Sequence, residues 1–238
     1  MKVMIIGALG HMGQEMQKLL SDAEIVPVDV CGEYKTPADY PGKVDCMVDF
    51  SHHSATKAVT DYAAGTGTAL VLAATGQTPE ELEMIRAAAQ KAPIFFSSNM
   101  SVGVAVLISM AKEAAKAFPD ADIEIVEAHH NRKLDVPSGT ALSIGKALQT
   151  VRPEAELNIG RHENGKREKD QIDIHSLRMG NIVGIHEVHI CTATQQLTLR
   201  HEAYDRRLFA EGARDAMDFV VGKPAGLYGM EDLLEAKA

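Results

Sequence analysis

The sequence predicts an α/β fold in which a doubly wound parallel sheet is joined to a second, smaller domain built on a mixed sheet. Three observations carry this expectation. Short β-rich runs alternate with helical periods from Lys2 to about Ser98. A glycine-rich turn, Gly7 to Gly13, lies between the first such run and the first helical pattern. After Pro119 the alternation gives way to longer β runs with little helix between them.

In the first half, strands are expected at residues 3–6, 24–28, 45–49, 69–73 and 94–96, and helices at residues 11–20, 54–64 and 79–91. The last of these helices opens Thr78-Pro79-Glu80-Glu81, which offers a cap, a proline at the first helical position and early acids. An apolar helix over residues 102–117 follows, then a strand at 123–127, a polar loop to Pro137 and a helix at 140–150. Further β character falls at residues 171–178, 182–192 and 196–201. Residues 158–170 are polar with two glycines and are expected to form an exposed loop with solvated charges. Residues 206–221 return to a helical period, with Leu208, Phe209, Ala213, Ala216, Met217 and Val220 as an apolar stripe suited to packing back on the first domain.

With 238 residues and 45% hydrophobic content, the chain has material for one large core or two smaller ones. The net charge of −9 argues against a protein that coats nucleic acid. Cys31, Cys46 and Cys191 are odd in number and widely spaced, which indicates neither a disulfide framework nor a metal site. The opening apolar run is too short for a signal peptide, and no later run reaches membrane-spanning length, so a cytoplasmic protein is expected.

Gly7, Gly10 and Gly13 are spaced as G-x-x-G-x-x-G, with Leu9 where a stricter dinucleotide fingerprint has glycine. Bare backbone there lets a pyrophosphate approach the amides at a helix start, although an ordinary tight turn is the plain alternative. Asp29 ends the second strand, where a carboxylate binds adenosine ribose hydroxyls, and on that reading NADH is favoured. Glu33 or Lys35 could equally reach a ribose or its phosphate, which leaves the choice between NADH and NADPH open. Asp49-Phe50-Ser51-His52-His53 and Ala73-Ala74-Thr75-Gly76 follow later strands and are candidates for the nicotinamide side, with Ser54 as a simple helix cap.

The segment Glu124 to Ala141 runs strand, charged loop, helix start. His129 and His130 offer a proton donor near neutral pH, Lys133 offers a cation, and Ser138-Gly139-Thr140 offers hydroxyls and amides aimed at an anion. Packing, solvation and capping are the bland uses of the same residues. Metal binding is disfavoured, because adjacent side chains on a strand point to opposite faces and no ligand cluster completes the set. The two histidines are therefore expected to do different jobs.

This segment resembles the signature of the 4-hydroxy-tetrahydrodipicolinate (dihydrodipicolinate) reductase family, E-x-x-E-x-H-x-x-x-K-x-D-x-P-S-G-T-A. Its fixed positions are met by Glu124, Glu127, His129, Lys133, Asp135, Pro137, Ser138, Gly139, Thr140 and Ala141. The resemblance extends through the glycine loop, Asp49-Phe50-Ser51, Thr75-Gly76, the Ser98 to Val104 segment, Arg178 to His186, and His201 to Ala213. It implies a Rossmann-like domain of residues 1–100 and 206–238, and a mixed α+β domain of residues 101–205 that binds substrate and builds a homotetramer. It also implies hydride transfer from NADH or NADPH to ring carbon C4 of a small cyclic dicarboxylate, with loss of its hydroxyl as water.

By position, the resemblance makes His129 the acid and Lys133 a group that binds or helps protonate the substrate, with His130, Ser138, Gly139 and Thr140 lining the dicarboxylate site. Gly7, Gly10, His11, Met12, Gly13, Asp29, Ala73, Thr75, Gly76, Ser98, Asn99 and Met100 fall on the cofactor side. His11, Leu9, Ala73-Ala74 and Met100 depart from the common family residues, all in that half. Two other readings remain on the sequence alone: a dehydrogenase for a different substrate on the same architecture, and a nucleotide sensor without turnover.

Overall fold

A computed structural model describes residues 1–162 and 164–237, and the backbone divides into two units, one of residues 1–102 with the segment from 206 onward, the other of residues 103–205. The first unit begins with β1 (Lys2–Ile6), α1 (His11–Leu19), β2 (Glu24–Val28), β3 (Cys46–Asp49), α2 (Thr56–Thr66), β4 (Ala69–Leu72), α3 (Pro79–Ala89) and β5 (Pro93–Phe96). The second unit is made of α4 (Val102–Ala117), β6 (Asp122–His129), α5 (Gly139–Gln149), β7 (Glu156–Ile159), β8 (Gln171–Arg178), β9 (Gly184–Cys191) and β10 (Gln196–Ala203). The chain then returns to the first unit with α6 (Arg207–Val220), β11 (Gly226–Tyr228) and α7 (Met230–Lys237).

The first unit's sheet is parallel throughout, in the order β2-β1-β3-β4-β5-β11. Strands such as β1 and β4 read as unbroken apolar runs because both faces of the sheet are covered. Val3, Ile5, Val48 and Val71 pack on one side with Met16 of α1 and Ala213, Met217 and Val220 of α6. Met4, Ile6, Met47 and Leu70 pack on the other with Val59 and Ala63 of α2 and Ile85 and Ala88 of α3. This alternation is the strand period of two. The strand order reverses between β1 and β3, and such a switch point is where parallel sheets open a crevice at their carboxyl edge.

Helix α3 begins as its sequence predicts, with the Thr78 hydroxyl accepting from the Glu81 amide at 3.3 Å and the Glu81 carboxylate accepting from the Thr78 amide at 2.8 Å. Ser54 does not cap α2. A short 3-10 turn at His53–Ala55 precedes that helix, and the Ser54 amide and hydroxyl both turn to His52 Nδ1. Two elements at the carboxyl end, β11 and α7, were not signalled by periodicity. They hold because Tyr228 meets Phe219 edge to face at 5.7 Å and Leu233 enters the core.

The second unit's sheet has the order β10-β9-β6-β8-β7, with β6, β8 and β7 parallel and β9 antiparallel to both of its neighbours. Helices α4 and α5 cover one face, where Leu107, Ala111, Ile144 and Leu148 pack on Ile123, Ile125, Ile174 and Val188. The opposite face carries paired charges, including His175 with Glu124 and Arg200 between Glu187 and Glu202. Residues 158–170 form the expected exposed loop only in part. Asn158 and Ile159 belong to β7, and Arg167 turns inward to Asp122 and Glu124, each at 3.1 Å, and to Asp173 at 3.5 Å. Asp173 has no exposed surface, and a buried carboxylate demands such a partner. Glu163 lies outside the described residues.

A side chain's first carbon at Gly212 of α6 would stand 1.7 Å from the Met100 carbonyl oxygen, whereas one at Gly65 of α2 would meet nothing within 4 Å. Gly212→Ala is therefore expected to lower stability by about 2 kcal/mol or more, since the backbone must shift to admit the methyl. Gly65→Ala is expected to raise stability by about 0.5–1 kcal/mol through helix propensity alone. Urea unfolding of the two variants beside the parent measures both.

Candidate active site

In the first unit, the turn after β1 is held against the neighbouring strand ends. Gly7 has φ of 76° and donates its amide to Val28 O at 2.9 Å, and a Cβ there would lie 3.0 Å from the Phe50 and Ser51 backbone. A Cβ at Gly13 would fall 2.2 Å from Gly7 O, so α1 starts almost in contact with the loop. Gly10 occupies the cap position of α1 without a side-chain cap bond, and His11 is exposed at the first helical position. The Asp29 carboxylate accepts from the Leu9 amide at 3.2 Å and the Cys31 amide at 3.1 Å, tying the end of β2 to the glycine turn.

The other cofactor candidates end strands along the same edge. Asp49 is buried, burial pushes its carboxyl up, and it accepts from the Ser51 amide and hydroxyl at 2.9 and 2.5 Å. Ala73, Thr75 and Gly76 follow β4, and Ser98 and Asn99 follow β5. Met100 differs from that group, because its side chain is part of the core. Met12 also packs against that core. A cradle of bare backbone at a helix start, with a carboxylate at the end of the next strand, fits a dinucleotide.

In the second unit the chemistry gathers at the carboxyl end of β6, on the face that α5 covers. Alternation puts Ile123, Ile125, Glu127 and His129 on one side of the strand, so the apolar row becomes polar where α5 begins. Glu127 has no exposed surface. Its Oε2 lies 2.6 Å from His129 Nδ1, and its two oxygens accept from Arg178 Nη1 and Nη2 at 2.8 and 2.7 Å. Oε1 also accepts from the Ser138 amide at 3.1 Å. Burial alone would push this carboxyl up; the bonds from His129, Arg178 and Ser138 outweigh it and hold Glu127 well below the usual carboxylate range.

Ser138 caps α5, its hydroxyl oxygen accepting from the Ala141 amide at 3.2 Å. The same oxygen is 3.1 Å from Nε2 of His186, which stands opposite Glu127 in the β6–β9 register. His186 meets the His129 ring edge to face at 5.2 Å, and burial followed by the nearby His129 pushes it down to about 3. Gly184 leaves room at His129, since a Cβ there would stand 3.2 Å from its Nε2. His130 lies just past the strand, donating its amide to Ile182 O at 2.7 Å, and the Lys133 ammonium pairs with Asp135 at 2.9 Å. Gly139 and Thr140 form the first turn of α5.

The structure thus gathers His129, Ser138, Gly139 and Thr140 at one end of the sheet, and adds three residues to which the sequence reading gave no role: Glu127, Arg178 and His186. A signal existed for Glu127, since spacing of two on a strand puts it on the His129 face. Arg178 and His186 arrive through strand register, which a single sequence does not display. Among the described residues no group of three or more His, Cys, Asp or Glu could hold a metal ion, and no helix is long and apolar enough to cross a membrane.

Comparison with known proteins agrees with this arrangement. Family models described as "Dihydrodipicolinate reductase, N-terminus" and "Dihydrodipicolinate reductase, C-terminus" match residues 1–100 and 103–234. A 4-hydroxy-tetrahydrodipicolinate reductase of Caldanaerobacter subterraneus subsp. tengcongensis is 40% identical over 247 residues, covering 98% of each chain. One from Alkaliphilus metalliredigens is 40% identical over 240 residues, covering 98% of this chain and 99% of the relative. The dipicolinate-bound dihydrodipicolinate reductase from Paenisporosarcina sp. TG-14 superimposes with a TM-score of 0.78 at 25% identity, covering 97% of this chain and 98% of that one. Two halves matched in order, and relatives matched end to end, place the chain plainly: it belongs to the dihydrodipicolinate reductase family.

Proposed function

We propose that this chain reduces 4-hydroxy-tetrahydrodipicolinate to tetrahydrodipicolinate, with NADH or NADPH as electron donor and loss of water, in the diaminopimelate and lysine pathway. The observation that carries the reading is the buried Glu127–His129 pair set beside the first turn of α5. Ser138, Gly139 and Thr140 at that turn receive substrate carboxylates, where the helix dipole at the start of α5 and the hydroxyls of Ser138 and Thr140 favour negative charge. His130 lines the same pocket, and Lys133 supplies a compact cation that neutralises the dianion.

A bound nicotinamide supplies hydride to ring carbon C4, whose hydroxyl departs, so one proton must be delivered to balance the water formed. His129 holds that proton. Its Nδ1 is engaged by Glu127, which fixes the ring and leaves Nε2 as the exchanging atom. Arg178 keeps Glu127 ionised and in place. On the nucleotide side, Gly7, Gly10 and Gly13 admit the pyrophosphate to the start of α1, and Asp29 accepts from the ribose hydroxyls.

A cytoplasmic homotetramer is part of the same proposal. Its support is the second unit's sheet, which α4 and α5 cover on one face and leave open on the other. Light scattering coupled to size exclusion is expected to give four times the chain mass, and a monomer mass overturns this part.

Purified protein given NADH or NADPH with substrate freshly made by the preceding synthase from pyruvate and aspartate semialdehyde is expected to consume the coenzyme, read as loss of nicotinamide absorbance. Lys133→Ala and His129→Gln should each lower kcat/KM by about 10²–10⁴-fold while the circular dichroism spectrum is kept. Rates near the parent's in both variants would sink the assignment of roles, and no oxidation by folded parent protein would sink the reaction.

The buried cluster also sets acid stability. Glu127 is held below its unfolded value, so its contribution is complete above the ordinary carboxylate range and fades as pH falls through the folded value. His186 stays neutral when folded down to about 3, against 6.5 unfolded, so below 6.5 the unfolded chain takes up a proton that the native chain refuses. Stability should therefore drop on acidification by up to about 1.4 kcal/mol per pH unit from this one group. Urea titrations are expected to show a shallower acid limb in His186→Gln than in the parent.

A further inference from the structure

We infer that His186 is a positioning residue that donates its Nε2–H to the Ser138 hydroxyl oxygen, so that the hydroxyl hydrogen is directed to a carboxylate of the substrate. The inference rests on the proposed reaction for the identity of that ligand. A serine hydroxyl has one hydrogen and two lone pairs. The Ala141 amide occupies one lone pair at 3.2 Å, and His186 Nε2 approaches the same oxygen at 3.1 Å. If Nε2 were bare, it would take the serine hydrogen, and Ser138 would have nothing to give an anion. If Nε2 carries the proton, both lone pairs are filled and the hydrogen must point elsewhere.

The surroundings of the ring choose between the two. His186 is 4% exposed, and its Nδ1 is buried with no hydrogen-bond partner among the described residues. An N–H stranded in the interior is a rarer defect than an unused lone pair, which puts the ring's proton on Nε2. A second proton is refused, because the ring is buried and His129 stands 5.2 Å away. A neutral ring with one proton on Nε2 therefore holds Ser138 as a donor throughout the physiological pH range. The donor sits at the start of α5, beside the amide of Gly139, where a carboxylate oxygen has two hydrogens to meet.

Two measurements test this, with dipicolinate as the probe. Nitrogen-proton correlation spectra of the parent protein's histidine side chains are expected to show His186 protonated at Nε2 and bare at Nδ1 from about pH 5 to 8. A proton found on Nδ1 overturns the inference without any variant. Calorimetric dipicolinate titration of the parent, Ser138→Ala, His186→Leu and the double variant supplies the second. Ser138→Ala should weaken binding about tenfold in the parent background and only about two- to threefold when His186 is already leucine. In turnover, the His186→Leu change should fall more on KM than on kcat, and His186→Gln, which retains an amide donor, should recover part of the loss.

Additive effects, or unaltered affinity in both single variants, overturn the inference while leaving the reaction intact. Coupled effects on dipicolinate binding in a protein that oxidises no coenzyme leave it standing and overturn the proposed reaction. Failure of the parent to bind dipicolinate overturns the carboxylate site and this inference together.

Discussion

An ionised carboxylate with no exposed surface is the constraint around which the second unit is arranged. Burying the Glu127 charge without partners would cost several kcal/mol, so each hydrogen bond to it is also a condition on the fold. Arg178 must come from β8, His129 from the end of β6, and the Ser138 amide from the residue that starts α5. A slip of one residue between β6 and β8 would carry Arg178 to the opposite face and leave the charge bare. Apolar packing of Ile123, Ile125, Ile172 and Ile174 makes a sheet against helices, and Glu127 selects its register.

The same bonds determine what the site does. The group that orients His129 also receives the first amide of the loop-to-helix junction, so the acid and the anion-binding turn share one anchor. Neither can drift without disturbing the other. In the first unit a comparable economy holds: Gly7 lies against Phe50 and Ser51, Gly13 lies against Gly7, and the Asp29 carboxylate grips the Leu9 amide, which fixes the glycine turn through close backbone contacts and one side chain from the next strand end. Strand ends and helix starts thus carry His129, Ser138 and the glycine turn, with Lys133 on the loop between β6 and α5.

Much of the fold was legible because the first unit's strands are buried on both faces and announce themselves as apolar runs between helical periods, one of them opening with a side-chain cap. Thr78 with Glu81 is such a signal, and the glycine turn is another. The unread parts share a cause. Strands β7 and β11 are only four and three residues long, Arg167 found partners more than forty residues away in Asp122 and Glu124, and Ser54 turned back to His52 instead of forward into its helix. In the site, His129, Lys133 and Ser138 stood out by type and by resemblance, and Glu127 was readable from its spacing. Arg178 and His186 were not, because they join the cluster through strand register and meet Glu127 and Ser138 across 51 and 48 residues of sequence.

Two histidine rings stand 5.2 Å apart, and their surroundings divide the work between them. Of the two rings, His129 is the one that hydrogen-bonds to the Glu127 carboxylate, which fixes its orientation. His186 has a hydroxyl on one nitrogen and no partner on the other, and charge on it is opposed both by burial and by its neighbour. Different partners thus separate the ring proposed as the acid from a neutral ring that acts as a fixed donor. In the proposed reaction the separation matters for a dianionic substrate, since one ring exchanges a proton while the helix start beside it keeps its donors aimed at the carboxylates. A second charged ring in that arrangement would compete with Lys133 for the anion.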